Sequence, residues 1–378
     1  MALVLNEDQR LLQQTAREFI QEMSPVSELR RLRDSGDSDG IDRSLWRQMA
    51  ELGWAGVTLP EELGGMDMGW LELGVLHEEC GRSLTAHPML SLALAGECIR
   101  RGGSEAQAKE QLAPAALGQR LLALALQEGP HHAPTAIATQ AAPLGDGFTL
   151  TGHKTQVLDG HIADMLVVVA RSSGTAGERD GLSLFLVDPS AKGVTVTRTT
   201  MIDGRNAANV ALDSVAVSRD AVIGKIGAGA DILEPALDRG TALLCAEMLG
   251  SMTAAFERTV EYLKTREQFG VVIGSFQALK HRAAEMFVEL ELARSIVLDA
   301  LSALDAGAEN ARQLVHCAKA RCNDTVFLIG NESVQMHGGI GVTDEEDIGL
   351  YLKRARVTQF TLGNSAFHRD QFATLDSY

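Results

Sequence analysis

The residues best suited to chemistry lie in the last third of the chain. In the run YLKTREQFGVVIGSFQALKHRAAEM, Arg266, Gln268 and Phe269 fall at the end of a long helical pattern. A glycine-containing turn follows, and Phe276 and Gln277 open the next helical pattern. A guanidinium beside a ring and carboxamides suits a ligand that joins phosphate to a flat ring, such as a dinucleotide, because arginine pairs with phosphate oxygens and also stacks on rings. A helix corner with a surface ion pair has the same composition, so this motif taken alone favours that plainer reading. Further on, QMHGGIGVTDEEDIGLYLKRARVTQF puts Gln335 and the pair Gly338–Gly339 ahead of another helix. Glycine there admits close approach of a ligand to the backbone, although a diglycine alone is an ordinary helix stop. His337 reads as a helix-end cap, and His131 and His132 as exposed loop residues.

Other chemistries lack their spacing. No GxGxxG follows a strand pattern, no GxxxxGK[ST] loop occurs, and GxSxG and HExxH are absent. The five cysteines (Cys80, Cys98, Cys245, Cys317 and Cys322) are odd in number, scattered and without a CxxC pair. That argues against a disulfide framework and a structural zinc site. With 34 Lys+Arg against 50 Asp+Glu the formal charge is −16, which disfavours nucleic acid or an anionic membrane as the main partner. A local basic patch remains free to bind a phosphorylated small molecule. The opening MALVLNEDQRLLQQ has no basic leader before an apolar stretch, and runs such as Met165 to Ala170 are too short to span a bilayer. The expectation is a soluble cytoplasmic protein.

Hydropathy patterning places these motifs. At 378 residues, 45% hydrophobic and 22% charged, the chain has the composition of two or three globular domains. Asn6 with Gln9 forms a capping-box pattern, followed by Leu12, Ala16, Phe19 and Met23 at helical spacing, and Pro25 ends that segment. Further helical patterns surround Trp46, run from Leu71 to Leu84, and extend from Leu90 to Leu117 with a break at Gly102–Gly103. From residue 120 the period shortens to strand-like runs: Leu121–Leu126, Phe148–Leu150, Met165–Ala170, Leu182–Val187, Val194–Thr199 and Ala211–Val217. The stretch Arg171 to Gly181 reads as a polar exposed loop. After Gly229 four long helical patterns follow, near 231–264, 275–305, 309–336 and 344–370. The expected architecture is α+β and multidomain: an N-terminal helical domain (1–119), a middle antiparallel β domain (120–228) and a C-terminal four-helix bundle (229–378).

Taken together, these segments resemble the acyl-CoA dehydrogenase family over nearly the whole chain. The resemblance rests on Leu52 to Gly65, Glu78 to Arg82, Gly152 with Lys154 and Ala163–Asp164, Leu212 to Gly229, and the REQFG…FQ and QMHGGIG motifs in order. It implies an FAD-linked α,β-dehydrogenation of an acyl-CoA thioester in lipid catabolism. It also implies dimers or tetramers and an electron acceptor such as an electron-transfer flavoprotein. By similarity, Arg266 would contact the FAD pyrophosphate of a neighbouring subunit, with Gln268, Phe269, Phe276 and Gln277 near the adenine end. Gln335, Gly338, Gly339 and Asn364 would complete that site.

The carboxylate base departs from the family pattern. Where the family carries a glutamate before a C-terminal glycine, this chain has Thr361–Leu362–Gly363–Asn364, so Leu362 holds the base position. The alternative position, ten residues before Gly250, is Gly240. Glu247, seven residues after Gly240, shares its helical face but lies about 10 Å further along the axis. It is therefore either a displaced base or an ion-pair partner. The flavin-ring motifs also differ, with Leu126–Gln127–Glu128 and Gln156–Val157–Leu158 replacing the Thr-Glu-Pro and Trp-x-Thr patterns. Two readings follow: an acyl-CoA dehydrogenase, alone or as half of a heteromer, and a non-catalytic partner subunit that completes a neighbour's FAD site.

Overall fold

The computed structural model describes residues 4–377. Six helices come first: α1 (Glu7–Met23), α2 (Val26–Ser35), α3 (Arg43–Glu51), α4 (Trp70–Arg82), α5 (Met89–Gly102) and α6 (Glu105–Ala116). Their starts follow local chemistry. The Asn6 side chain accepts from Gln9 N while Gln9 returns a bond to Asn6 N, and Ser104 and Gln107 repeat the arrangement ahead of α6. Each box satisfies amide donors that the first helical turn leaves without intrahelical partners.

The middle of the chain forms one eight-stranded sheet from β1 (Leu122–Ala125), β2 (Gln140–Leu144), β3 (Gly147–Leu158), β4 (Met165–Arg171), β5 (Leu182–Val187), β6 (Val194–Thr200), β7 (Asn206–Val217) and β8 (Val222–Ile223). The order is β6-β7-β3-β2-β4-β5-β8, with β1 paired to β4. Most pairs are antiparallel, as the patterning suggests, but β1 runs parallel to β4 and β2 meets β4 in parallel at Gln140 and Arg171. The β2–β3 hairpin supplies the crossover length that a parallel β1–β4 pair requires. Ala123, Leu150, Val157, Leu166, Val168, Phe185 and Val210 form the core, and Phe148 meets Phe185 edge-on at 5.4 Å.

Arg171 is not part of an exposed loop. It ends β4, is buried, and donates to the carbonyls of Thr135, Ile137, Ser173, Glu178 and Asp180. The residues after it, 173–180, are exposed as expected.

The last third is helical: α7 (Ala230–Thr265), a short hairpin of β9 (Glu267–Gln268) and β10 (Val271–Val272), then α8 (Gln277–Ala306), α9 (Ala311–His337), α10 (Ile348–Phe360) and α11 (Ser365–Leu375). Helical, sheet and helical parts therefore occur in the expected order. The fourth helical pattern is, however, two helices. Leu362 and Gly363 take φ of +58° and +112°, values no right-handed helix passes through, so the chain breaks between α10 and α11.

By internal contacts the chain forms two compact units. One comprises the described residues up to Arg31, Trp70–Thr85 and Thr241 onward; the other comprises Leu32–Gly69 and Ala86–Gly240. Within the first, α4 and α7 cross backbone against backbone. A Cβ on Gly250 would lie 1.8 Å from Glu78 O, and one on Gly81 would lie 2.1 Å from Glu247 O, so both glycines are required by the crossing. Buried acids then tie the helices. Arg17 of α1 pairs with Glu79 at 2.8 and 2.9 Å, and Arg294 of α8 with Glu78 at 2.7 Å. No helix among the described residues is long and apolar enough to cross a membrane.

Candidate functional site

The arginine–aromatic motif sits where α7 ends. Arg266 directly follows the helix, and Gln268 closes β9. Phe269 and Gly270, at φ +55° and +79°, form the two-residue turn of the hairpin. Two positive φ values are what a tight type I′ hairpin needs. Glycine meets that demand freely, whereas a left-handed phenylalanine costs about 1–2 kcal/mol. Phe269 is also 93% exposed, with only an edge contact to Phe276 at 6.2 Å. A strained aromatic held in solvent has no account in the stability of its own chain. Ile273 N returns to Arg266 O at 2.8 Å, and Gly274 packs on Leu263 O, so the hairpin folds back on α7.

The diglycine motif belongs to the same unit and is brought to the same end of α7. His337, the last residue of α9, is not a cap in solvent. It is buried, its Nδ1 lies 2.7 Å from Ser333 O, and its ring stacks on Tyr262 at 4.5 Å. Tyr262 is one helical turn before Arg266, so this stack joins the two motifs; its signal was the tyrosine opening YLKTREQFG. Gln335, Gly338 and Gly339 are exposed, and a Cβ on either glycine would meet nothing within 4 Å. Among the described residues, the side chains of Arg266, Gln277 and Gln335 have no hydrogen-bond partner. Gln268 donates only to Glu267 O, at 2.7 Å. Asn364 caps α11 by accepting from Phe367 N at 2.9 Å.

Glu247 lies in the interior. It is 1% exposed, and its Oε1 accepts from Arg354 Nε and Nη2 at 2.9 and 2.8 Å, tying α7 to α10. This is the ion-pair arrangement. Position 240 is filled as well as non-acidic: a Cβ there would lie 2.3 Å from Leu94 Cδ2 of α5. Leu362, half-buried, takes its left-handed conformation at a turn gripped by buried polar groups. Lys319, fully buried in α9, donates to Thr358 O and Gly363 O, and His368 Nε2 lies 2.9 Å from Leu362 O. Burial depresses Lys319 to about 8 and His316, the partner of His368, to about 4. Sequence spacing did not single out these residues; only Lys319 and Asn323, one helical turn apart, lay within reach of a local reading.

In the sheet, Lys154 of β3 is fully buried and donates to Glu128 at 2.6 Å and Leu126 O at 3.2 Å. Burial lowers its pKa to about 8, against the pull of Glu128. Gln156, in the altered ring motif, has φ +52° beside a register shift between β3 and β7.

The fold is a helical part, a sheet and a second helical part in chain order. Family models for the acyl-CoA dehydrogenase N-terminal, middle and C-terminal domains match residues 6–119, 127–215 and 227–374, and the chain belongs to this family of FAD-dependent oxidoreductases. It is 29% identical to mitochondrial isovaleryl-CoA dehydrogenase of Pongo abelii, covering 97% of this chain and 88% of that protein. It is 28% identical to subunit CarC of the caffeyl-CoA reductase–Etf complex of Acetobacterium woodii, covering 96% of each. Among solved structures, a variant of the steroid ACAD Tcur3481–Tcur3483 superposes with a TM-score of 0.88 at 31% identity, covering 98% of each chain.

Proposed function

We propose that this chain is one subunit of a heteromeric acyl-CoA dehydrogenase, in which a second family member supplies the proton acceptor and this chain completes that member's FAD site. The observation that carries the reading is an asymmetry. Each candidate base position is closed to proton transfer: Leu362 has no proton-accepting group, Gly240 lies under Leu94, and Glu247 is paired with Arg354 in the interior. Arg266, Phe269, Gln277, Gln335 and the Gly338–Gly339 pair of the dinucleotide set, by contrast, are exposed.

That set fits the phosphate and adenine parts of FAD. Arg266 would hold the pyrophosphate charge, as its guanidinium has no acid partner among the described residues. Phe269 and Phe276 offer ring faces, and Gln277 and Gln335 offer carboxamides. Gly338 and Gly339 leave the space that a ligand's backbone contact needs. Bound FAD supplies the acceptor for the β-hydrogen as hydride. The work of this chain is to bind and orient: the hairpin turn presents Phe269, and the Tyr262–His337 stack fixes Arg266 relative to the diglycine. Likeness to an Etf-complex subunit supports an electron-transfer flavoprotein as acceptor. Likeness to a steroid ACAD supports a bulky acyl-CoA as substrate. A cytoplasmic location is part of the same proposal.

Co-expression with a second acyl-CoA dehydrogenase chain tests it. The co-purified complex should show the flavin absorption band and dehydrogenate an acyl-CoA, while this chain alone purifies colourless and inactive. A yellow homomer of this chain that turns over acyl-CoA without a partner would overturn the proposal.

A further inference from the structure

The turn that carries residue 362 is held at residues 362 and 363 through their main-chain carbonyls. Lys319 Nζ donates to Asn323 Oδ1 at 2.7 Å, Thr358 O at 2.9 Å and Gly363 O at 3.1 Å, and Asn323 Nδ2 adds a second donor to Gly363 O at 3.2 Å. From the other side, His368 Nε2 meets Leu362 O at 2.9 Å and His368 Nδ1 meets His316 Nδ1 at 2.8 Å. A carbonyl only accepts, so His368 carries its proton on Nε2. With the His368 ring neutral, its Nδ1 accepts and the His316 proton is on Nδ1. Gly363 is enclosed as well: a Cβ there would lie 2.6 Å from both His368 Nε2 and Phe367 Cδ1.

None of these contacts uses the side chain of residue 362. Side chains of two elements, α9 and α11, converge on the Thr358 carbonyl at the end of α10 and on the carbonyls of residues 362 and 363. Lys319 has no carboxylate partner among the described residues, so its three bonds to neutral acceptors are its whole satisfaction. Left-handed backbone is unfavourable for leucine, and it persists because the surroundings over-determine it. The conformation therefore belongs to the network.

We infer that Lys319, Asn323 and His368, backed by His316, are positioning residues for residue 362, fixing the 361–364 turn as a preformed mount whose geometry is independent of the side chain it carries. Resting on the reading that this chain lacks its own base, the inference means that this turn would hold an acidic side chain at 362 in the same backbone geometry as it holds leucine.

The test needs neither flavin nor a partner chain, so its failure is distinct from failure of the proposed function. Hydrogen exchange is followed by mass spectrometry in the full chain. Leu362→Glu should leave exchange of amides 361–368 within about two-fold of wild type, whereas Lys319→Met should raise it at least about ten-fold there and leave α8 unchanged. A fluorinated thiol label on Leu362→Cys, in a Cys317→Ser background, should give one sharp 19F environment that splits or shifts when Lys319→Met is added. Should Lys319→Met fail to fold, His368→Gln provides the same comparison. Ten-fold faster exchange in Leu362→Glu, or unchanged exchange and label signal when Lys319 or His368 is replaced, would overturn the inference.

Discussion

At the scale of single residues, the first unit places charge and polarity where water is absent, and each placement has a consequence. His316 is held to about 4 by burial and by Arg312, well below its ordinary value near 6.5. The unfolded chain therefore binds this proton before the folded one does. Its contribution is full above pH 6.5 and is lost as pH falls towards 4, up to about 3 kcal/mol. Urea unfolding at pH 7 and 4.5 should show that loss in wild type and a smaller one in His316→Gln. Lys319 behaves in the same direction in a more alkaline window, since burial lowers it from 10.5 to about 8. Carrying its charge inside is a penalty below pH 8 that disappears as pH rises towards 10.5. Relative to Lys319→Met, wild type should gain up to about 3 kcal/mol over that interval. Glu247 and Arg354 form a pair of another kind. Glu247→Gln removes the buried carboxylate that meets Arg354 at 2.8 and 2.9 Å and should cost about 3–5 kcal/mol in the isolated chain.

At the scale of elements, what could be read in advance was whatever local chemistry determines. The capping box at Asn6, the Gly102–Gly103 break and the strand-like runs of β4 and β5 appear where their residues place them. The elements that escaped notice are those fixed from outside. In β2, QAAPL, only Ala141 is buried, so its pairing with β3 leaves no apolar alternation to detect. The division of α10 from α11 is imposed on a leucine by buried groups, Lys319 44 positions from Gly363 and His368 on the following helix. The dinucleotide motif was readable because it is contiguous, while the Glu247–Arg354 pair spans 107 positions and was not. The β9–β10 hairpin carries the prediction proper to this scale. Asparagine tolerates left-handed backbone better than phenylalanine. Phe269→Asn should therefore leave the isolated chain equally stable or up to about 1 kcal/mol more stable, and should reduce flavin retained by the co-purified complex. Equal flavin content in wild type and Phe269→Asn complexes would remove the hairpin from the site.

At the scale of the whole molecule, a chain of net charge −16 still leaves large apolar side chains in solvent. Val288 and Leu292 on α8 are one helical turn apart, each about half exposed, and Phe287 lies beside them. Phe327 on α9 and Phe360 on α10 are exposed too, with Arg356 lying over the Phe327 ring at 4.3 Å. Isolated apolar residues on a surface need no explanation, but a helical row of them on a bundle that also exposes a nucleotide-type motif does. Charge repulsion opposes association of this chain with another acidic chain, and an apolar contact is what would offset it. Val288→Glu with Leu292→Lys puts opposite charges one turn apart, in an order that suits a helix. The isolated chain should therefore keep its unfolding midpoint to within a few degrees. Light scattering after size-exclusion chromatography should show the complex falling in mass, and its flavin should be lost with it. Loss of mass with flavin retained would separate this face from the dinucleotide site. An unchanged mass would show that assembly uses another surface.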